Sequence, residues 1–180
     1  MAEQIAALKP LGLCFCGGEP LLELDNICRL GPGIAAAGAV VNMVTNGMLV
    51  TKEVAARLSQ PWLNAVQVSL DGATAATHER LRQAPGSLQR VIHAIELLRA
   101  AGVAVGVSFT PTRQNIHQWR AVFELCRERG VTSFRMQPLM PLGQANLHYD
   151  ELAPTTAQYR DLLQQYSTLA EACDDTIKVE

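Results

Sequence analysis

Residues 11–20 read Leu11-Gly12-Leu13-Cys14-Phe15-Cys16-Gly17-Gly18-Glu19-Pro20, an apolar run of strand length that stops at two glycines, a carboxylate and a proline. The pattern predicts a buried strand ending in a ligand loop. Adjacent glycines remove two Cβ atoms, so a ligand can approach main-chain groups closely before Glu19 supplies a charge. Pro20 carries the fixed φ that suits the first turn of a following helix. A plainer reading of the same residues is a tight strand-to-helix connection, and this stretch alone leaves both open.

Outward from it, Leu21 to Leu30 has the pattern of a helix, with Asp25 or Asn26 near its start and Ile27 and Leu30 on one face. Gly31-Pro32-Gly33 is expected to kink or split that helix before Ile34–Ala37, and Gly38 to stop it. A strand is expected over 39–44, then a helix over 52–58 capped by Thr51, a strand over 65–70 and a short helix over 75–82. Ser87 is expected to cap the clearest helix, with Leu88, Val91, Ile92, Ile95 and Leu98 on one face and Gly102 at its end. A fourth strand, 103–109, leads into the polar loop Thr110 to Asn115. There Asn115 with Gln118 resembles a capping box, and the next helix carries Ile116, Trp119, Val122, Phe123 and Cys126 as its stripe. A fifth strand covers 131–136, and a helix follows Pro154 to about residue 169. Five strands with a helix between each pair have the spacing of repeated βαβ units in a parallel sheet. The polar turns all fall after strands, the side where ligands bind in parallel α/β sheets and barrels.

With 180 residues, 48% hydrophobic and 18% charged, the chain has room for one ordinary globular core. Lys+Arg 15 against Asp+Glu 17 gives a net charge of -2 and no basic surplus for nucleic acid or an anionic membrane. The longest uncharged apolar stretch, 33–44, is too short to span a bilayer and the N-terminus lacks a basic start, so a cytoplasmic location is expected. Cys14, Cys16, Cys28, Cys126 and Cys173 are an odd set, scattered through apolar runs and without a Cys-x2-Cys pair, which suits a reducing compartment.

Taken together, Cys16 to Leu22, Val44-Thr45-Asn46-Gly47, Val68 to Thr74, His78 to Arg82, Pro85-Gly86-Ser87, the Thr110 to Asn115 loop and Pro138 to Gly143 resemble the radical S-adenosylmethionine superfamily. The likeness is to the group that builds peptide-derived cofactors or modifies peptides, often with a C-terminal cysteine-rich extension. It implies a partial parallel (βα) barrel over residues 1–152, with 153–180 a helix leading to a further extension. It implies that Gly17 and Gly18 offer carbonyls, and Glu19 a carboxylate, to the ammonium of S-adenosylmethionine. By the same resemblance Ser69 bonds the cofactor's ribose or carboxylate, Arg82 pairs with its carboxylate, and Asn46 and Leu139 line the adenosine end. Arg80 is an alternative to Arg82, because one extra residue separates Asp71 from His78. For Asp71, capping of the next turn through backbone amides stands beside any direct role. The implied activity is reductive cleavage of S-adenosylmethionine to methionine and a 5′-deoxyadenosyl radical that attacks a peptide or cofactor precursor. A flavodoxin or ferredoxin would be the reductant.

The family's Cys-x3-Cys-x2-Cys loop, which holds a [4Fe-4S] cluster, does not occur in these 180 residues. It belongs ahead of the opening strand, and 1–10 is too short for it, so the chain is expected to be the middle of a larger enzyme and inactive alone. Cys14 and Cys16 share a strand face, where small apolar packing is expected rather than ligation. A cluster-free S-adenosylmethionine-binding module is the second reading, and an unrelated barrel that binds a phosphorylated small molecule the third. His78, His93, His117 and His148 have no metal-ligand spacing, and His93 is placed on or near an apolar helix face. Met43, Met136 and Met140 are expected to fill core. Ser69 lacks a nucleophile elbow, and Gly17-Gly18 lacks the third glycine of a dinucleotide fingerprint.

Overall fold

A computed structural model describes residues 2–172 and 177–179. Among the described residues the six strands are β1 (Gly12–Phe15), β2 (Val40–Thr45), β3 (Ala65–Ser69), β4 (Val105–Phe109), β5 (Ser133–Met136) and β6 (Lys178–Val179), in that order across the sheet. The pairs β1–β2, β2–β3 and β5–β6 run parallel, with Gly12 opposite Val40, Asn42 opposite Ala65 and Ser133 opposite Lys178. The helices are α1 (Ala2–Ala7), α2 (Leu24–Ala36), α3 (Lys52–Leu58), α4 (Ala75–Arg82), α5 (Ser87–Ala100), α6 (Trp119–Glu128), α7 (Gln144–Leu147), α8 (Tyr149–Leu152) and α9 (Thr156–Ala172). The chain divides into two compact units: one runs to Ser69 and includes Arg90–Gly106, the other takes Leu70–Gln89 and the chain from Val107 onward.

In the first unit β2 alternates as a half-buried strand should, with Val41, Met43 and Thr45 inward, and Val66 and Val68 of β3 are fully buried. The opening strand departs from expectation. β1 is an edge, with Leu11, Cys14 and Cys16 exposed and only Leu13 and Phe15 half-buried, so the two thiols face solvent instead of packing. The turn expected to begin a helix at Leu21 is a 3₁₀ segment, Pro20–Glu23, and α2 starts at Leu24. Pro32 does not split α2, which runs on to Ala36 with Ile27, Gly31 and Ile34 buried. Gly31 lies so close to the Trp62 ring that a Cβ there would collide with it. That packing holds the helical path against proline's missing N–H. Thr51 caps α3 as its spacing predicts, accepting from the Val54 N–H at 3.2 Å. Within α5, Val91, Ile95 and Leu98 are buried, whereas His93 is exposed beside Glu96 rather than set in the core.

The second unit is centred on aromatic rings. Phe134 meets Phe123 edge-on at 5.6 Å between centroids, Trp119 meets Tyr166 at 5.9 Å, and the Tyr166 hydroxyl donates to the Phe134 carbonyl at 3.0 Å. Trp119, Val122, Phe123 and Cys126 form the buried stripe of α6. Ser87 does not act as a cap: it is the first residue of α5, and its buried Oγ has no hydrogen-bond partner among the described residues. The polar stretch after β5 folds into α7 and α8, and β6 is a strand that the sequence pattern did not announce. Cys173, one of the scattered cysteines, lies outside the described residues.

Candidate functional site

In the first unit, Gly17 and Gly18 follow β1 with φ of +81° and +47°, the left-handed region, and no atom stands within 4 Å of where either Cβ would be. Conformation, not crowding, demands glycine at both positions. Glu19 then returns to extended backbone and its carboxylate joins two strand ends. Oε1 accepts from the Leu21 N–H at 3.1 Å and the Thr45 hydroxyl at 2.7 Å, and Oε2 accepts from the Asn46 N–H at 2.9 Å. The second turn is itself locked. Thr45 Oγ1 accepts from Gly47 N–H, Asn46 Oδ1 accepts from Met48 N–H, and Gly47, at φ +78°, has Val68 of β3 at 3.3 Å from its Cβ position.

A carboxylate offers about four lone-pair sites and Glu19 commits three, leaving one on Oε2. The carbonyls of the exposed Gly17 and Gly18 accept no hydrogen bond among the described residues. The cradle therefore offers free acceptors, two carbonyls and one carboxylate lone pair, with open space at both glycines, and these fit an ammonium group. Ser69 ends β3 half-buried, and its hydroxyl takes no partner among the described residues.

The second unit holds a different polar cluster around Asp71. One Asp71 oxygen accepts from Thr110 N–H at 2.9 Å, and the other pairs with Arg82 at 2.6 Å. The carboxylate thus reaches the loop after β4 and the end of α4, rather than capping its own next turn. The Asp71 N–H donates to Nδ1 of His78 at 3.1 Å, which fixes a neutral imidazole there, and burial pushes His78 below its ordinary value of 6.5. Gly72 cannot accept a Cβ, which would lie 2.8 Å from the His78 backbone nitrogen. Asn115 and Gln118, expected as a capping box, do something else. Fully buried Asn115 donates to the carbonyls of Asp71 and Thr110 and accepts from Thr112, while Gln118 binds Ala73, Thr74 and Thr77. Their signal in the sequence was only a polar loop after a strand. Leu139 is half-buried, and its N–H donates to the Tyr159 hydroxyl at 3.4 Å. Arg80 is exposed, one helical residue pair before Arg82.

Among the described residues no group of three or more His, Cys, Asp or Glu side chains is placed to hold a metal ion. The residues present therefore do not fit an iron–sulfur cluster. No helix among them is long and apolar enough to cross a membrane.

Comparison with known proteins shows the family of the chain. The profile of the radical SAM superfamily matches residues 1–126. The AdoMet-dependent heme synthase of Methanosarcina barkeri is 34% identical over 164 residues, covering 89% of this chain and 45% of that protein. The mycofactocin maturase MftC of Mycobacterium ulcerans is 38% identical over 143 residues, covering 79% and 38%. The solved structure of native anSMEcpe with bound AdoMet and Kp18Cys peptide superposes with a TM-score of 0.75 at 18% identity, over 99% of this chain and 53% of that one. The chain thus spans less than half the length of both of these relatives. Its parallel α/β sheet is the partial (βα) barrel of this fold. With most of its length matched by the family profile, the chain belongs to the radical SAM superfamily.

Proposed function

We propose that this chain is the S-adenosylmethionine-binding core of an enzyme that modifies a peptide or a cofactor precursor. The observation that carries the reading is the Glu19 carboxylate, which ties the glycine turn after β1 to the Thr45-Asn46-Gly47 turn after β2 and still keeps a lone pair for a ligand. In that reading the Gly17 and Gly18 carbonyls and Glu19 Oε2 take the cofactor's ammonium. Ser69 takes its ribose or carboxylate, and Asn46 and Leu139 border the adenosine. Arg82, with one N–H committed to Asp71 and others left to donate, takes the carboxylate. When bound, the cofactor supplies a carbon-centred radical for hydrogen abstraction once reduced by a cluster whose ligands these residues do not provide. What this chain contributes is orientation and exclusion of water. Relatives named as a heme synthase and a maturase, and a fold neighbour solved with a peptide, support a precursor or peptide as the substrate.

Calorimetric titration with S-adenosylmethionine tests it. The wild-type chain is expected to bind, and Glu19→Gln, which turns an amide N–H₂ toward groups that already donate, to bind at least about tenfold more weakly, as for a lost charge-assisted bond. A folded wild-type chain with no affinity would overturn the reading.

A further inference from the structure

We infer that the cleft of about 600 Å³ in the second unit, between the end of α4 and the α7–α8 segment, binds a carboxylate of the substrate peptide. The inference rests on the peptide reading above and adds a recognition site to it. Its volume falls within the range of ligand sites. Arg80, Gln83, Gln114 and Gln144 are among the polar side chains that line it, together with apolar Leu81 and Leu152.

The charges decide the ligand. Arg82 also reaches the cleft, with one N–H on Asp71 at 2.6 Å and the others assigned above to the cofactor's carboxylate. Arg113, on the neighbouring loop, does not line the cleft: its guanidinium donates to the Ala153 carbonyl at 2.7 Å and its backbone N–H to the Leu152 carbonyl. Arg80 has no ion pair or hydrogen bond among the described residues, so one guanidinium stands open to an anion, flanked by amides that can also donate. Glu151 on the same wall lies 3.7 Å from His148 and makes no ion pair with Arg80. That carboxylate repels a doubly charged phosphate about twice as strongly as a single carboxylate and is able to accept from a peptide's backbone N–H. One open cation, one acceptor and an apolar floor match an acidic residue within a peptide.

The test is fluorescence anisotropy with the intact chain and two labelled hexapeptides that differ only in an Asp-Glu pair replaced by Asn-Gln, both flanked by leucines. The acidic peptide is expected to bind about five- to tenfold tighter, with the preference shrinking as salt rises. Arg80→Gln removes the preference, Arg80→Lys restores part of it, and Arg90→Gln, on an exposed residue of the other unit, leaves it intact. Equal binding of the two peptides, no binding of either at millimolar concentration, or a preference that survives Arg80→Gln would overturn the inference. Displacement of the acidic peptide by inorganic phosphate at lower concentration than by glutarate would also overturn it. Calorimetry with S-adenosylmethionine on the same preparations separates the two readings. Loss of the acid preference with cofactor binding intact removes only the cleft. A wild-type chain that prefers the acidic peptide but binds no cofactor removes only the enzyme reading. A loss of cofactor affinity in Arg80→Gln equal to its loss of peptide affinity would place Arg80 on the cofactor and end the carboxylate assignment.

Discussion

Single residues here act mainly by joining turns. Glu19 is half-buried and accepts three hydrogen bonds, so Glu19→Gln is expected to cost stability as well as affinity. A loss of about 1–3 kcal/mol in urea unfolding would match one buried donor left facing another. Asp71 makes the same kind of join in the other unit, and its neighbour His78 gives the fold a pH dependence. Burial lowers the folded pKa of His78 below 6.5, with the nearby Asp71 carboxylate opposing in part. Below 6.5 the unfolded chain therefore binds more protons than the folded one. The contribution of His78 is full above that value and is lost as pH falls through the folded pKa. The urea midpoint of the wild type is expected to drop across that window, and that of His78→Gln to drop less. Parallel curves for the two proteins would remove the assignment. That Gly17, Gly18 and Glu19 form a polar turn after the opening strand, and Thr45-Asn46-Gly47 another after β2, was legible because glycine and polar residues follow apolar runs. The roles of Asn115 and Gln118 were not, since both reach residues more than 40 positions away and no local pattern records that distance.

Elements form where tertiary packing agrees with local preference, and at one place where it overrules it. α2 keeps its path through Gly31-Pro32-Gly33 because Gly31 accommodates the Trp62 ring. Gly31→Ala is expected to destabilise the fold by about 1–3 kcal/mol through overpacking, against the roughly 1 kcal/mol an alanine gains in helix propensity. Gly31→Ala combined with Trp62→Leu should recover most of that loss, and thermal melts of the single and double variants would show the coupling. Strands β2 and β3 were readable as alternation. β1 was misjudged because a short apolar run looks the same at an edge as in the middle of a sheet, and only the partner strands decide burial. A two-residue strand such as β6 has no period at all. The expected cap at Ser87 failed because the helix includes that residue, leaving its hydroxyl inside rather than ahead of the first turn.

At the scale of the whole chain, the cysteines report which parts are open. Cys14 and Cys16 are exposed, whereas burial pushes the Cys126 thiol up to about 12. Iodoacetamide at neutral pH is expected to label Cys14 and Cys16 first and Cys126 only on unfolding, since the thiolate is the reactive form. Mass spectrometry of a time course would check this, and early labelling of Cys126 would show that α6 does not stay packed. The boundary between the compact units has a different consequence. The chain leaves the first unit at Ser69 and re-enters it at Arg90, and α5 begins in one unit and ends in the other. During synthesis the first unit cannot finish until residue 106 has emerged, by which time twenty residues of the second are already outside the ribosome and waiting for β4. Neither unit can be completed ahead of the other's opening segment, so the nascent chain has to hold two unfinished cores at once.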